Sequence, residues 1–497
     1  MDQTAAQAAP RSGWAHGALA ALAGVVLALG HAPFDFPWSS LVALPALFTL
    51  WTMALDIRRA AWIGWCGGVG YFGLSLTWIV EPFLVDIARH GWMAPFALVL
   101  MAGGLALFWA VGFAVAGAVR REGIFAALTL AAALTLAELA RSTLLTGFPW
   151  ALPAYLWVDT PVAQAAAHLG PHGLGFALLL TGFLLGLRRP APILVALALF
   201  AGLWSHGIWR QATPVGVTGT VLRLVQPNAA QHLKWNREFM PEFYRRQLVS
   251  TSAASDPAPD LVIWPETAVP FLLAERADLR ADIADRLTHP EGRALIGTRR
   301  IEGEAYYNSL AVMGRDGQLE ARYDKHHLVP FGEYLPLRQV FEVIGLAGFV
   351  GSFTPGPGAQ RIALDGLPSF QPLICYEAIF PHEILRGADR PDWLMQITND
   401  AWFGTRSGPY QHLAQAQMRA IEQGLPLARS ANTGVSGMID PLGRITASLA
   451  LGEEGFVDAR LPTPLPPTLY ARSGDWPLMG ALGLLLAALL IAPRHRR

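Results

Sequence analysis

The chain has 497 residues, of which 53% are hydrophobic and only 15% charged, with a mean hydropathy of +0.35. An ordinary soluble domain carries about 25% charged residues, so composition argues against a wholly soluble protein, and the apolar content excludes intrinsic disorder. Lys+Arg and Asp+Glu number 37 each, which leaves no electrostatic footprint for nucleic acid. The charges are unevenly spread: 14–208 is nearly charge-free over long stretches, whereas 209–475 reads as a globular domain. The two cysteines, Cys66 and Cys375, lie in segments of different character, which rules out a disulfide framework. Lys234 and Lys325 are the only lysines.

A membrane helix needs roughly 20 apolar residues to cross a hydrocarbon core about 30 Å thick. Seven such segments precede residue 210, at approximately 14–31, 37–55, 60–80, 92–118, 123–141, 162–186 and 191–208, and an eighth follows at about 476–493. The first has Arg11 ahead of an apolar run, like a signal peptide, but six further spans follow it directly, which favours an uncleaved helix. Arg58/Arg59, Arg120/Arg121 and Arg188/Arg189 mark alternate connections, and Arg494, Arg496 and Arg497 end the chain. Basic connections stay on the cytoplasmic side, so both termini are expected there, with the large domain between helices seven and eight on the outer side. Within this region Cys66, in Trp65-Cys66-Gly67-Gly68, reads as a small packing residue. Glu138 is expected to pair with Arg141 at a helix end rather than to act chemically, and Gly147-Phe148-Pro149-Trp150 as an interfacial anchor or the lining of a lipid path.

Residues 215–462 alternate short apolar runs with helical stretches. Strands are expected at Val221–Val225, Leu261–Trp264, Ala294–Gly297, Ser309–Met313, Pro372–Tyr376, Trp393–Thr398, Val435–Ile439 and Arg444–Leu449, and helices at 236–252, 272–287 and Tyr410–Glu422. Continuous apolar strands between helices mean a sheet covered by helices. The expected division is a transmembrane domain over 1–210, a catalytic domain over 215–462, a Pro-rich linker over 463–475, and a last helix with a basic tail over 476–497.

Three polar residues fall where strands end, the usual place for a site in an α/β sheet. Glu266 closes Leu-Val-Ile-Trp-Pro-Glu, Cys375 closes Pro-Leu-Ile-Cys, and Lys325 sits in Tyr323-Asp324-Lys325-His326-His327. Each has a plainer account when taken singly: a small hydrophobe, a turn carboxylate, a solvated amine. Jointly they make an acyl-transfer set. A free thiol is only a few per cent thiolate at neutral pH and needs a base. A carboxylate in apolar surroundings supplies one, and an ammonium with a backbone N–H, such as that of Tyr376, stabilises the oxyanion.

These residues resemble the nitrilase superfamily, and more closely its membrane branch, the apolipoprotein N-acyltransferases. The resemblance rests on Gln226-Pro227-Asn228 with Lys234-Trp235, Trp264-Pro265-Glu266-Thr267-Ala268, Tyr307-Asn308-Ser309 and Tyr323-x-Lys325-x-His327-Leu328-Val329-Pro330-Phe331-Gly332-Glu333. It continues through Cys375-Tyr376-Glu377, Asn399-Asp400-Ala401-Trp402-Phe403-Gly404, Gln411-His412 and Arg429-Ser430-Ala431-Asn432-Thr433-Gly434. It implies an αββα sandwich joined to a polytopic helical membrane domain of about eight helices. It implies that Glu266 is the general base, Lys325 the oxyanion stabiliser and Cys375 the nucleophile, with supporting roles for Glu333, Tyr376, Glu377 and Trp235. The implied reaction moves a fatty acyl chain from a membrane phospholipid to the α-amine of the diacylglyceryl-cysteine that begins an apolipoprotein, in the bacterial inner membrane.

Two lipid-anchored substrates require a site close to the outer membrane face, and one shared thiol predicts a ping-pong scheme through a thioester from which water is excluded. The apolar stretch 341–353 (Phe341, Ile344, Leu346, Phe349, Val350, Phe353) is expected either as a lid or lipid-facing loop, or as a core helix and turn. The spacing of His326, His327 and His412 matches no common zinc pattern, and no phosphate-cradling or dinucleotide motif occurs, so no metal or cofactor is expected. A membrane-tethered amidase hydrolysing a small amide shares the trio but needs a site open to water, and it does not account for so many membrane helices. A non-enzymatic transporter or lipid scaffold does not account for the trio.

Overall fold

The computed structural model describes residues 9–336, 353–385 and 389–491. Most of the apolar stretch 341–353 and the basic C-terminal tail therefore lie outside the described residues. The chain forms two compact units. One comprises residues 1–213, 406–414 and 468–497; the other comprises 214–405 and 415–467.

The first unit is helical. Helices form at all eight expected places: α1 (Ala9–Ala28), α2 (Ser40–Thr52), α3 (Ile57–Ser75), α4 (Ala94–Val119), α5 (Gly123–Thr143), α6 (Ala166–Gly186) and α7 (Pro190–Gln211), with the last at Trp476–Ile491. Among the described residues four stretches are long and apolar enough to cross a membrane: Ile87–Val119, Gly123–Thr143, Pro161–Gly186 and Pro190–Gln211. A fifth is added if α3 and Thr77–Leu84, bent by 63° at their junction, form one span. The 13 residues of α2 reach only about 20 Å at 1.5 Å per residue.

Close approach between helices is bought with small residues rather than with hydrophobicity, which gives no drive between helices in lipid. A Cβ on Gly24 of α1 would meet the Gly67 carbonyl oxygen of α3 at 2.0 Å, and one on Gly70 would meet the Ala21 oxygen at 1.9 Å. Cys66 is buried in this same seam, as a packing residue should be. Glu138 and Arg141 pair as expected and are fully buried. Trp109 Nε1 donates to Glu138 Oε1 at 2.6 Å, and Arg141 Nη1 donates to the Trp150 carbonyl at 2.8 Å. Both oxygens of Glu138 and all three guanidinium nitrogens of Arg141 thus have protein partners, as buried charges require. The Gly147–Trp150 turn faces inward: Trp150 is buried against Trp78, with ring centroids 4.4 Å apart, and donates to Gln411 Oε1 at 2.7 Å.

The second unit is built on two sheets. The first has the order β11-β1-β2-β3-β4-β5, from β1 (Val217–Gln226), β2 (Leu261–Ile263), β3 (Arg293–Glu302), β4 (Ala305–Met313), β5 (Leu319–Asp324) and β11 (Gly455–Pro462). The second has the order β10-β9-β8-β7-β6, from β6 (Phe370–Ile374), β7 (Trp393–Thr398), β8 (Leu427–Ala431), β9 (Ser436–Ile439) and β10 (Ile445–Leu449). In the first sheet β1, β2 and β3 run parallel, and in the second β6, β7 and β8 do.

Alternation along the strands makes the layers. Leu222, Leu224, Leu261, Ile263 and Leu295 share one core with Ile374, Met395, Ile397 and Ala428, so the two sheets face each other. Val225, Val262, Trp264, Ala294 and Ile296 point the other way, against Leu248 of α8 (Met240–Ser252) and Ile283 and Ala284 of α9 (Ala277–Asp285). Hydroxyls tie the sheets together: Ser430 Oγ of β8 lies in donor contact with the carbonyls of Val225 (2.9 Å) and Ile263 (3.1 Å), and Ser436 Oγ of β9 donates to Gln226 Oε1 of β1 at 2.6 Å. Residues 415–423 of α10 (Gly408–Gln423) attach to the second sheet's loops through Gln417 Nε2 to Gly443 O (3.0 Å) and Arg419 Nη1 to Ile379 O (3.2 Å).

Candidate active site

Parallel strands deliver their C-terminal ends to one edge, and the three expected residues lie at such ends. Glu266 follows β2, Cys375 follows β6 directly, and Lys325 follows β5. Glu266 and Lys325 are buried together, with Lys325 Nζ 3.6 Å from Glu266 Oε1 and 2.8 Å from Glu333 Oε2. Lys325 is therefore held between two carboxylates. Its backbone N–H continues the β4–β5 ladder by donating to Asn308 O at 2.8 Å.

Cys375 is buried and has φ +52°, the left-handed region that a side chain rarely adopts. Asn228, Thr267 and Phe331, in the loops that carry the other site residues, also have positive φ, at +48°, +46° and +62°. Each such residue costs of order 1–3 kcal/mol and persists only where its surroundings hold it. At Cys375 the result is a sharp turn from strand into the short helix Cys375–Ile379, which presents the thiol at the strand end.

The electrostatics are those of a resting thiol beside a resting ion pair. Burial pushes the Cys375 thiol well up, and the Glu266 charge adds to this, while Lys325 and a hydrogen bond with Thr398 oppose it. Burial by itself would lower the Lys325 ammonium, but Glu333 and Glu266 outweigh that and hold it above its ordinary value, so it is a cation at any working pH. The thiol must then lose its proton as it attacks rather than beforehand, and a base in contact with the site is needed.

The supporting residues divide into groups. Glu333 stands in the site itself: Val329 N–H donates to its Oε2 (2.8 Å) and Asn308 Nδ2 to its Oε1 (2.9 Å). Glu377 is fully buried beneath the cysteine turn, where it accepts from the backbone N–H groups of Ile374 (2.7 Å) and His326 (2.7 Å) and from Tyr323 OH (2.8 Å). Burial opposes its ionisation, but the His326 partner and these N–H groups outweigh burial and hold its carboxyl below the ordinary range. His326, which burial alone would lower, is raised to about 10 by Glu377 and Glu383. Tyr376 packs its ring on Phe380 and His327. Trp235 is 40% exposed, with Arg299 Cζ 4.7 Å and Lys234 Nζ 5.4 Å from its ring centroid.

Sequence reasoning gave no role to three residues that hold Glu266. Asn308 Nδ2 donates to Glu266 Oε1 at 2.7 Å and bridges it to Glu333; Asn399 N–H donates to Glu266 Oε2 at 2.9 Å; and Lys234 contacts the turn behind it. All three lie within motifs already singled out, and that was the available signal. His326 and His327 are likewise engaged by carboxylates, Glu377 and Glu383.

Glu377→Ala is expected to leave the buried Ile374 and His326 backbone N–H groups without this acceptor and the His326 ring without its closest carboxylate. A destabilisation of roughly 3–5 kcal/mol follows from stripping one partner from a buried charged network. A fall in the thermal midpoint of the purified protein measures it, and an unchanged midpoint refutes the buttressing role.

The family model described as the apolipoprotein N-acyltransferase N-terminal domain matches residues 23–184, and the carbon-nitrogen hydrolase model matches residues 221–465. The apolipoprotein N-acyltransferase of Rhodopseudomonas palustris is 39% identical over 97% of this chain and 96% of its own length. That of Bradyrhizobium diazoefficiens is 41% identical over the same shares, 97% and 96%. Among solved structures, a CN-hydrolase superfamily protein from Xanthomonas campestris is similar at 19% identity, covering 56% of this chain and 98% of its own, with a TM-score of 0.35.

Proposed function

The chain belongs to the apolipoprotein N-acyltransferase family, and from that premise we propose that it works through a thioester on Cys375, in two half-reactions. It is a membrane enzyme, and its activity is N-acylation of lipoproteins. The donor is a membrane phospholipid. The acceptor is the α-amine of the diacylglyceryl-cysteine at the start of an apolipoprotein.

The observation that supports this reading is the juxtaposition of Glu266 and Lys325, 3.6 Å apart and buried, with both charges coupled to a buried thiol in a strained turn. In the first half-reaction Cys375 Sγ bonds to the ester carbonyl carbon while Glu266 takes the thiol proton. Lys325 and the Tyr376 N–H hold the oxyanion. Collapse breaks the C–O bond, and Glu266 returns the proton to the departing lysophospholipid oxygen. In the second, the acceptor amine attacks the thioester carbonyl, Glu266 takes a proton from nitrogen, the C–S bond breaks, and the thiol is restored. Burial of the cysteine protects the thioester from water between the two steps.

The test is incubation of the full-length enzyme with phospholipid carrying a labelled acyl chain, without acceptor, followed by mass spectrometry. Acyl mass on the peptide containing Cys375 is expected. Release of free fatty acid with no adduct would instead support a hydrolase, and neither product would sink the acyl-enzyme.

We also propose eight crossings, with the catalytic unit on the outer side of the inner membrane and both termini in the cytoplasm. Arginine pairs at alternate connections support this. On a Cys66→Ala background, which should keep full activity, cysteines engineered near Arg11, Arg58 and Arg189 should label from the cytoplasmic side and one near Pro464 from the outer side. If α2 does not cross, the Arg11 label appears outside and the count fails.

A further inference from the structure

Both lysines of the chain come to Glu266, and the mechanism uses only one of them. Lys325 approaches the carboxylate from the site. Lys234 is buried behind the strand end, where its Nζ donates to the Glu266 carbonyl oxygen at 3.2 Å and to Thr267 Oγ1 at 3.1 Å. Thr267 is the residue whose φ of +46° bends the chain directly after the base. Lys234 also lines a small pocket with Trp235, Tyr244, Gln247, Thr267 and Asn432. We propose that Lys234 is a positioning residue for Glu266: its ammonium pins the Glu266–Thr267 turn by two hydrogen bonds and gives the carboxylate a second positive neighbour. This rests on the reading of Glu266 as the base that takes the Cys375 proton.

The physical case is one of geometry first. A turn with a left-handed residue needs outside support, and an ammonium offers three donors on a point charge, of which two are spent here on that turn. The carboxylate itself is gripped at Oε1 by Asn308 and at Oε2 by the Asn399 N–H. Lys234 fixes the backbone end of the same residue, so that both ends of the side chain are defined.

The charged and titratable groups facing Lys234 are Glu266, Arg299 and Cys375. Burial pulls its ammonium down to about 8, Glu266 and Cys375 pull it back up, and Arg299 adds to the lowering. A role confined to packing would be met by an apolar side chain of similar length, whereas the two hydrogen bonds to the turn require a donor at this place.

The experiment measures the rate of thioester formation on Cys375 from labelled phospholipid, for the full-length wild type, Lys234→Met and Lys234→Arg. Lys234→Met is expected to be slower by about 10²-fold, the usual cost of a small misplacement of a catalytic group. Lys234→Arg is expected to recover most of the rate, because it keeps the charge and the donors. The proposal is overturned if Lys234→Met matches the wild type, as packing alone would allow, or if Lys234→Arg is as slow as Lys234→Met. A wild type that forms no thioester overturns the acyl-enzyme reading itself and this inference with it, so the two failures are distinguishable.

Discussion

Cys375→Ser is expected to abolish acyl transfer and to form no detectable acyl-enzyme. The wild-type thiol is already held neutral by burial and by the Glu266 charge, and its proton is removed only in the attack. A serine hydroxyl in the same place is a far weaker acid, so the same carboxylate cannot activate it. Loss of a group on which all the others act typically costs on the order of 10⁴–10⁶ in rate. The variant should nevertheless fold, because serine is nearly isosteric and the strained φ belongs to the turn, not to the sulfur. Turnover by Cys375→Ser or Cys375→Ala at the wild-type rate would remove Cys375 from the mechanism.

Glu266→Gln and Lys325→Met are both expected to be severely slow, but to respond to pH in opposite ways. Loss of a general base usually costs about 10²–10⁴, and loss of one oxyanion donor about 10²–10³. Glu266→Gln also deletes one of the two main influences that raise the Cys375 thiol. Its thiol is then easier to ionise, and hydroxide can do what the base did, so alkaline pH should restore part of the rate. Lys325→Met removes the main influence that lowers the thiol and the charge facing the oxyanion. Ionisation becomes harder, and no solvent ion replaces the missing cation, so alkaline pH should not help. The rate of acyl-enzyme formation against pH decides the matter. Rescue of Lys325→Met but not of Glu266→Gln would reverse the two roles, and no loss in either would dissolve the trio.

Much of this site was legible because its residues sit where local patterns stop. Leu261-Val262-Ile263 is a buried strand by composition, and Glu266 breaks it; Pro372–Ile374 does the same for Cys375. Strands β5, β8 and β11 were not legible. Leu319–Asp324 and Gly455–Pro462 are edge strands in which apolar and polar residues alternate, so they lack the continuous apolar run by which the central strands are read. Leu427–Ala431 is central, yet it buries Arg429 and Ser430, which are tolerable only because Asp400, Gln396 and the carbonyls of β1 and β2 receive them.

The sequence alone determined the split between an apolar helical part and an α/β part, because hydropathy over 20 residues and alternation over five are local properties. It also placed each member of the trio at its strand end. Only the tertiary structure decided that Asn399, 133 residues away, grips Glu266, that Asn308 joins Glu266 to Glu333, and that both lysines serve one carboxylate. It also decided that residues 406–414 pack with the helical unit and that α2 is too short to count by length as a span. Those facts depend on which strand ends meet after folding, and buried polar groups choose their partners by distance and geometry in space, which periodicity along the chain does not encode.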